Sequence, residues 1–370
     1  MDEKKYKVAF WGLGNIGGTV LREALKRPEF EVVAARVYNP GKHGRDIGEL
    51  VGVDPIGVLA TTDRDAVIAS DADCVVHTPQ SLDMAQNDAD VIELLESGKN
   101  VLTTVSYQYP PMVQGPQLTQ RIEDACRKGQ STLHGTGVHP GFMFERLGMT
   151  LTGLFTQVDH IRVVEAFDCL SLLGHGSPKY LRAAGFGTDP SALHSRSPVA
   201  RWTNQYYEHV IGYAGKHLYG AEPDEIRIDN DARGIAADEA CDLFPAMRIE
   251  KGQTLIVCLE HRGYIGDHHF FTNEEYWFPG LENRYLGTNG VPFGNFQGTS
   301  NYIIEVSGKP MSVSLQLDLA SGADDQTPAI SYCSAIPILQ SIVLVCTAPA
   351  GILYPHNAPH FATDFRLVTQ

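Results

Sequence analysis

The sequence predicts an α/β protein with a doubly wound parallel sheet in its N-terminal part, followed by an α+β domain on a mostly antiparallel sheet. Three observations predict it. An apolar run near the N-terminus enters a glycine-rich turn, in the stretch KVAFWGLGNIGG at residues 7–18. Strand and helix patterns then alternate to about residue 140. Beyond that point, long runs of alternating apolar and polar residues are typical of antiparallel strands.

The first predicted strand, turn and helix form a motif in which each of three glycines has a structural role. Residues 8–11 read as a buried strand that enters Gly12-x-Gly14-x-x-Gly17, and an amphipathic helix pattern follows before a second apolar run at 30–37. Gly12 permits the tight turn, Gly14 lets the backbone approach a pyrophosphate, and Gly17 lets helix and strand pack closely. The phosphates would bind N–H groups at the positive end of the helix. This context predicts a Rossmann-type site for NAD or NADP.

The residues after the second strand favour NADP over NAD. A site for NAD carries an acidic residue roughly 20 residues after the glycines, which holds the ribose 2′-hydroxyl. That position falls near Val37, where the sequence has no carboxylate, and Tyr38 could stack on adenine. Basic residues lie nearby instead: Arg36, Lys42, His43 and Arg45. The alternative is that Arg36 points away from the site, because neighbours on a strand face opposite sides.

The alternation continues through further strands at 72–78, 101–105 and 131–137 and helices at 83–97 and 117–128. In a parallel sheet the ligand binds beyond the carboxyl ends of the strands. Five segments, at 12–17, 38–39, 78–80, 104–107 and 135–141, should therefore converge on one cleft. The predicted cofactor-binding residues are Gly12, Gly14, Asn15, Ile16, Gly17, Arg36, Tyr38, Asn39, Thr78, Pro79 and Thr104.

The domain boundaries follow from the change of pattern. Residues 1–140 form the predicted dinucleotide-binding domain, and 141–331 a substrate and dimerisation domain. The second domain has helical patterns at 142–153 and 203–217 and strand patterns at 159–169, 254–264, 301–307 and 311–319. Residues 332–370 are predicted to form an apolar helix, interrupted by Pro337, and a loop that pack back on the first domain.

Composition excludes several classes of function. The formal net charge of −15 disfavours nucleic acid and anionic membranes as partners. No apolar run approaches ~20 residues, so we expect no membrane span, and the N-terminus is not a signal peptide. Seven cysteines without a C-x-x-C pair indicate reduced thiols in a cytoplasmic protein. The histidines at 268–269, 356 and 360 lack partners at ligand spacing, so no metal site is predicted.

Two segments at the predicted cleft carry a family likeness. Together with GLGNIGG, the stretches HGTGVHPGF at 134–142 and NVLTTVSYQYP at 100–110 resemble the dihydrodipicolinate-reductase-like superfamily. Within it the sequence is most similar to 2,4-diaminopentanoate dehydrogenases and native amine dehydrogenases, whose closing segment resembles AIP…APAGILYP at 335–355. The resemblance implies an NAD(P)-dependent homodimer that interconverts a primary amine and a ketone. The signature that follows Gly137 in true dihydrodipicolinate reductases is absent.

The resemblance places a glutamate of the amine dehydrogenases at Ser106, followed by Tyr107. Because a serine cannot act as a general base at neutral pH, amine formation is in doubt, although fold and cofactor are not. The sequence therefore predicts hydride transfer to a C=N or C=O centre of a small, fairly apolar substrate. A carbonyl reductase without amination activity and a non-catalytic NADP sensor are the alternatives.

Two further residues are candidates for proton transfer. Tyr107 could be the acid, or an aromatic wall of the pocket. His139 lies in a glycine-flanked loop, where an imidazole is suited to acid–base work near neutral pH, or it could fix the turn through a backbone hydrogen bond. The enzymes that the sequence resembles often have an asparagine at this position, which favours a contact to substrate or nicotinamide instead. The predicted catalytic set is Tyr107, His139 and Ser106.

Overall fold

The computed structural model describes residues 5–79, 83–105, 107–169, 178–243, 247–279, 300–322 and 327–355. The chain divides into two units. The first contains the residues up to Phe142 and those from Ser331 onward, and the second is Met143–Ile330. The predicted fold class is confirmed, because the first unit carries a parallel sheet with helices and the second a mostly antiparallel one.

The sheet of the first unit has seven strands, and all of their pairings are parallel. The strands are β1 (Tyr6–Trp11), β2 (Phe30–Arg36), β3 (Ala60–Thr61), β4 (Cys74–His77), β5 (Asn100–Thr103), β6 (Thr132–Gly135) and β15 (Gly351–Ile352). Their order is β15-β6-β5-β4-β1-β2-β3. Apart from β15, this is the 3-2-1-4-5-6 order of doubly wound dinucleotide-binding folds.

Helices connect these strands and cover both faces of the sheet. They are α1 (Asn15–Ala24), α2 (Ile47–Leu50), α3 (Arg64–Ile68), α4 (Met84–Glu96), α5 (Pro110–Val113), α6 (Gly115–Gly129) and α10 (Ala329–Thr347). One core contains Val8 and Phe10 with α1 and α10, and the other contains Val75 and Val101 with α4 and α6. The sheet is therefore buried on both faces, which explains the continuous apolar runs of its strands.

The C-terminal helix α10 continues through Pro337, where the sequence predicted an interruption. Ile338 and Ile342 are fully buried in the same core as Val8, and this burial stabilises the helix against the loss of one backbone hydrogen bond at proline. By length and composition α10 is apolar enough to cross a membrane, and 56% of its most apolar 18-residue stretch is buried within the protein.

The sheet of the second unit has six strands in the order β14-β13-β7-β12-β11-β8. These are β7 (Gln157–Asp168), β8 (Ile226–Ala236), β11 (Thr254–Ile265), β12 (His268–Phe278), β13 (Ser300–Lys309) and β14 (Ser312–Leu319). A separate hairpin joins β9 (Cys241–Leu243) and β10 (Met247–Ile249). Only β7 and β12 pair in parallel among these described strands, and β13 with β14 form the hairpin expected from the sequence.

Helices of the second unit are α7 (Met149–Thr152), α8 (Pro178–Ala183) and α9 (Pro198–Tyr219), preceded by a π-helical segment at Met143–Gly148. The long helix α9 packs on β8 and β11. The aromatic residues Tyr276, Trp277 and Phe278 lie in the core beside this sheet. They therefore serve packing in this unit.

Two glutamates are buried side by side in the second unit. Glu165 and Glu275 are register partners on the parallel strands β7 and β12. Tyr302 donates a hydrogen bond to Glu165 at 2.5 Å, and Asn273 donates one to Glu275 at 2.9 Å. Burial raises the pKa of Glu165 to about 7 and the pKa of Glu275 well above its ordinary value of 4.5. At neutral pH the pair therefore keeps a proton that the unfolded chain releases.

This pair predicts a stability that falls as the pH rises. The folded-state pKa values are raised, so the stabilisation is complete below the ordinary value of 4.5 and is lost as the pH rises through about 7 and beyond. Each retained proton costs about 1.4 kcal/mol of unfolding free energy per pH unit. Glu275→Gln should flatten this slope, as measured by urea unfolding between about pH 5 and about pH 8.

Glu274→Gln is the matched control for this prediction. Glu274 is the neighbouring residue on β12 and forms an ion pair with Arg162 at 2.6 Å. Its substitution should shift the unfolding midpoint without changing the pH slope. An unchanged slope in Glu275→Gln would show that the buried pair does not hold the proton.

Candidate functional site

Backbone contacts fix the glycine turn between β1 and α1. Gly12 has φ +106°, and an added Cβ there would lie 2.2 Å from the carbonyl oxygen of Thr78. A Cβ on Gly17 would lie 2.2 Å from the carbonyl oxygen of Gly12. The Thr78 hydroxyl donates to that same Gly12 oxygen at 2.9 Å. Strand, turn and helix thus approach too closely for any side chain, as the motif predicts.

Gly14 differs from these two glycines. Within the described chain, an added Cβ at Gly14 would meet no atom within 4 Å, so nothing in the protein itself requires glycine there. Gly14 is also the N-cap of α1, and no described side chain caps this helix. The first turn of α1 contains no acidic residue. An exposed helix start of this kind fits an anionic group such as a pyrophosphate, which needs close access to the backbone.

Neighbouring strand ends are joined in one row at the carboxyl edge of the sheet. At four places, the backbone N–H of the residue that follows one strand donates to a carbonyl at the end of the adjacent strand. These bonds run from Gly12 to Arg36 (3.0 Å), Thr78 to Trp11 (3.0 Å), Thr104 to His77 (3.3 Å) and Thr136 to Thr103 (3.0 Å). The segments after β2, β1, β4, β5 and β6 therefore lie side by side, as expected from the sequence.

The predicted cofactor-binding residues at and after the end of β2 lie next to the glycine turn. The guanidinium of Arg36 lies over the rings of Trp11 and Tyr38, with its central carbon 4.3 Å and 4.8 Å from their centres. Asn39 accepts a hydrogen bond from its own turn, from the N–H of Gly41 at 2.9 Å. Asn15 and Gly14 are exposed, and Ile16, Thr78, Pro79 and Thr104 are half-buried.

Lys42 reaches the turn itself. Its ammonium donates to the carbonyl oxygen of Leu13 at 3.2 Å, between Gly12 and Gly14. Lys42 was only one of several basic residues near this position in the sequence. The structure therefore places a positive charge directly beside the start of α1, where it would add to the attraction for phosphates.

Tyr107 is buried, and its hydroxyl is engaged. It is 1% exposed, lies in the core with α4 and α6, and donates to the carboxylate of Asp88 at 2.5 Å. Burial and the neighbouring Asp88 raise the pKa of Tyr107 well above its usual value of 10. Both effects hold the proton on the phenol, so this geometry favours an anchor in the wall of the site.

His139 lies in the buried loop that follows β6. The loop is held by Gln108, whose side-chain amide donates to the carbonyl of Pro140 at 3.3 Å. Gly141 has φ +130°, and a Cβ there would lie 2.5 Å from the N of Gly137. The imidazole is 9% exposed and is positioned by this turn. Ser106 lies outside the described residues.

Sequence reasoning missed the carboxylates of α4. Asp90 is 2% exposed and binds Arg64 at 2.8 Å and Arg36 at 3.3 Å, and Asp88 binds Tyr107. The pattern contained one indication. Asn87 and Asp90 occupy buried positions on α4 together with Val91 and Leu94, at the spacing of a core-facing stripe. Polar residues in such a stripe need buried partners.

The described residues contain no group of three or more His, Cys, Asp or Glu side chains arranged to hold a metal ion. The pair at 268–269 lies at the start of β12, where the ring of His269 contacts His160 at 4.7 Å between centres. Residues 356 and 360 lie outside the described part of the chain.

The strand order and the glycine turn define the first unit as a Rossmann-type dinucleotide-binding fold. Residues 6–87 match the sequence model of the family described as dihydrodipicolinate reductase, N-terminus. The matched region contains β1 to β4 and the glycine turn, which are the parts of the site described above.

Amine dehydrogenases are among the similar proteins. The chain is 33% identical over 231 residues to an amine dehydrogenase from Streptomyces virginiae, across 61% of this chain and 62% of that protein. It is 27% identical over 169 residues to a 2,4-diaminopentanoate dehydrogenase from Acetoanaerobium sticklandii, across 43% of this chain and 45% of that protein. The aligned parts thus span less than two thirds of each relative. The resemblance predicted from the sequence is confirmed.

The fold extends this likeness over the whole chain. The structure of an amine dehydrogenase from Mycobacterium smegmatis superposes with a TM-score of 0.73 and covers 98% of both chains. Sequence identity in this superposition is 17%, so it establishes the shared fold.

The two kinds of glycine give opposite predictions. Gly17→Ala should lower the free energy of unfolding by about 1–3 kcal/mol, because its Cβ meets backbone at 2.2 Å. Gly14→Ala should unfold like the wild type but weaken dinucleotide binding, since the new methyl group occupies the approach to the turn. Thermal unfolding and NADPH fluorescence measure the two effects. Equal NADPH binding by Gly14→Ala and the wild type would contradict a pyrophosphate at this turn.

Tyr107→Phe should be mainly a stability variant. It leaves the partly buried Asp88 carboxylate without its donor, which costs about 1–3 kcal/mol of unfolding free energy. Denaturant unfolding measures this loss. Turnover per folded molecule should change by less than ~10²-fold, the usual size of a general-acid effect. A larger loss of turnover with unchanged stability would instead identify Tyr107 as the acid.

Proposed function

We propose that this protein is an NAD(P)H-dependent oxidoreductase of the amine-dehydrogenase type, with a preference for NADP(H). The observation that carries the proposal is the open approach at Gly14 above the uncapped start of α1. The similarity to amine dehydrogenases supports the reaction class. The substrate is a small, fairly apolar molecule with a C=N or C=O centre, and a bound nicotinamide supplies or accepts the hydride.

Different residues of the first unit have different roles in the proposed reaction. The backbone of residues 12–17 binds the pyrophosphate, and Lys42 adds a positive charge beside it. The segments that meet at the strand ends carry buried apolar side chains, among them Val105 and Val138, and the proposed apolar substrate would bind beside these segments. Tyr107 forms a fixed wall, anchored on Asp88.

We assign proton transfer to His139. An imidazole can give and take a proton near neutral pH, whereas the phenol of Tyr107 is held protonated by burial and by Asp88. His139 therefore protonates the oxygen or nitrogen at the reacting carbon during reduction, and it removes that proton in the reverse direction. Ser106 is proposed to contact substrate without acting as a base.

A carbonyl reductase without amination activity is the second candidate. It is favoured by the serine at position 106, where the amine dehydrogenases that this sequence resembles carry a glutamate. Ammonia addition requires a base as well as an acid, while carbonyl reduction requires only the acid. We further propose a homodimer, as the resemblance to the amine dehydrogenases implies. A cytoplasmic location is proposed as well, because none of the seven cysteines forms a disulfide.

The test measures NADPH consumption with a panel of small ketones, with and without ammonia. Consumption that requires ammonia supports the amine dehydrogenase, and consumption without it assigns carbonyl reduction. NADPH binding without consumption across the panel supports a sensor. Absence of both binding and consumption would contradict the proposed function.

His139→Ala tests the assigned acid. It should lower turnover by about 10²-fold or more while leaving NADPH affinity within a few-fold of the wild type. Stopped-flow absorbance measures the reduction step, and nicotinamide fluorescence measures binding. A loss of less than tenfold in turnover would remove His139 from the mechanism.

A further inference from the structure

The last residues of β1 and β2 form an aromatic support for a cation. Trp11 and Arg36 are register partners on the two parallel strands. The guanidinium carbon of Arg36 lies 4.3 Å from the centre of the Trp11 ring, at cation–π distance. Tyr38, two residues further, offers a second ring at 4.8 Å. A long, flexible side chain is thereby held in one place before any ligand arrives.

Arg36 forms an ion pair with Asp90 and keeps one donor without a partner among the described residues. Asp90 approaches Arg36 at 3.3 Å, but it accepts closer bonds from Arg64 at 2.8 Å and from Gln86 at 2.9 Å. Within the described residues, the buried Nε of Arg36 has no hydrogen-bond partner. Arg36 therefore retains capacity for an anion.

The position of this cation matches one part of the cofactor. The carbonyl of Arg36 accepts the N–H of Gly12 at 3.0 Å, so the end of β2 directly adjoins the glycine turn. In dinucleotide-binding folds an acidic residue after this strand binds the ribose 2′-hydroxyl, and an arginine nearby accommodates a 2′-phosphate. Planar, stacked guanidinium groups suit phosphate recognition because their donors are already oriented.

We propose that Trp11, assisted by Tyr38, is a positioning residue that holds Arg36 to recognise the 2′-phosphate of NADP(H). The inference rests on the proposed cofactor. It goes beyond that proposal because it assigns the choice between NADP(H) and NAD(H) to a buried aromatic ring at the end of β1. Trp11 itself is fully buried and acts only through Arg36. Lys42, at the glycine turn, instead attracts the pyrophosphate that NADH and NADPH share.

The test compares dissociation constants for NADPH and NADH in the full-length protein, by nicotinamide fluorescence. Arg36→Leu should weaken NADPH binding by about tenfold or more, the loss expected for one charge-assisted contact, and leave NADH within about twofold. Trp11→Leu and Tyr38→Leu should each change the ratio in the same direction by a smaller factor. Trp11→Phe, which keeps an aromatic face, should retain most of the preference.

Lys42→Met is the matched control, because it should weaken both cofactors by a similar factor. Tyr38 is half-buried, so Tyr38→Leu keeps the test valid if Trp11→Leu fails to fold. A structural defect alone would weaken both cofactors, whereas loss of positioning changes their ratio. If both cofactors bind and the ratio stays unchanged in Arg36→Leu, or changes there but in neither Trp11→Leu nor Tyr38→Leu, the inference is overturned and the proposed function stands. If the wild type binds neither, both fail.

Discussion

Three backbone segments approach one another closely at the glycine turn, and the geometry of the rest of the first unit depends on this contact. The carbonyl of Gly12 lies against Gly17 of α1 and accepts the hydroxyl of Thr78 from the end of β4. This arrangement fixes where α1 begins relative to the sheet. The orientation of its first N–H groups, and hence the geometry of the proposed anion site at Gly14, follows from that contact. A methyl group at either crowded glycine would displace the helix and the site together.

The architecture was predictable because both of its determinants are local in sequence. Alternating strand and helix patterns imply a parallel sheet, and a glycine turn between the first strand and helix locates the ligand edge. The path of α10 through Pro337 was not predictable in this way. It depends on Val8 and other core residues more than 300 positions away, whose burial outweighs a local helix-breaking preference. The parallel pairing of β7 with β12 is likewise a property of the whole sheet.

Side-chain partners in the site were the least predictable part. Tyr107 meets Asp88 across 19 residues, and Arg36 meets Asp90 across 54. Periodicity indicates which face of α4 is buried, but it does not specify which buried carboxylate meets which strand end. The sequence pattern places Arg36 near the end of the second strand, and it is the last residue of β2 in the structure. The contact between Arg36 and Trp11 depends on the register of β1 and β2, which sequence patterns do not specify.

These partners separate the two candidates for proton transfer. If Tyr107 gave up its proton, a buried phenolate would stand beside the Asp88 carboxylate, at the 2.5 Å that now separates their oxygens. Two like charges 2.5 Å apart repel by about 7 kcal/mol at an effective dielectric constant of about 20, which corresponds to about five powers of ten in rate. An acid in that position would lose more from this repulsion than general-acid catalysis gains. The same hydrogen bond that makes Tyr107 a rigid wall therefore supports the proposal that His139, and not Tyr107, transfers the proton.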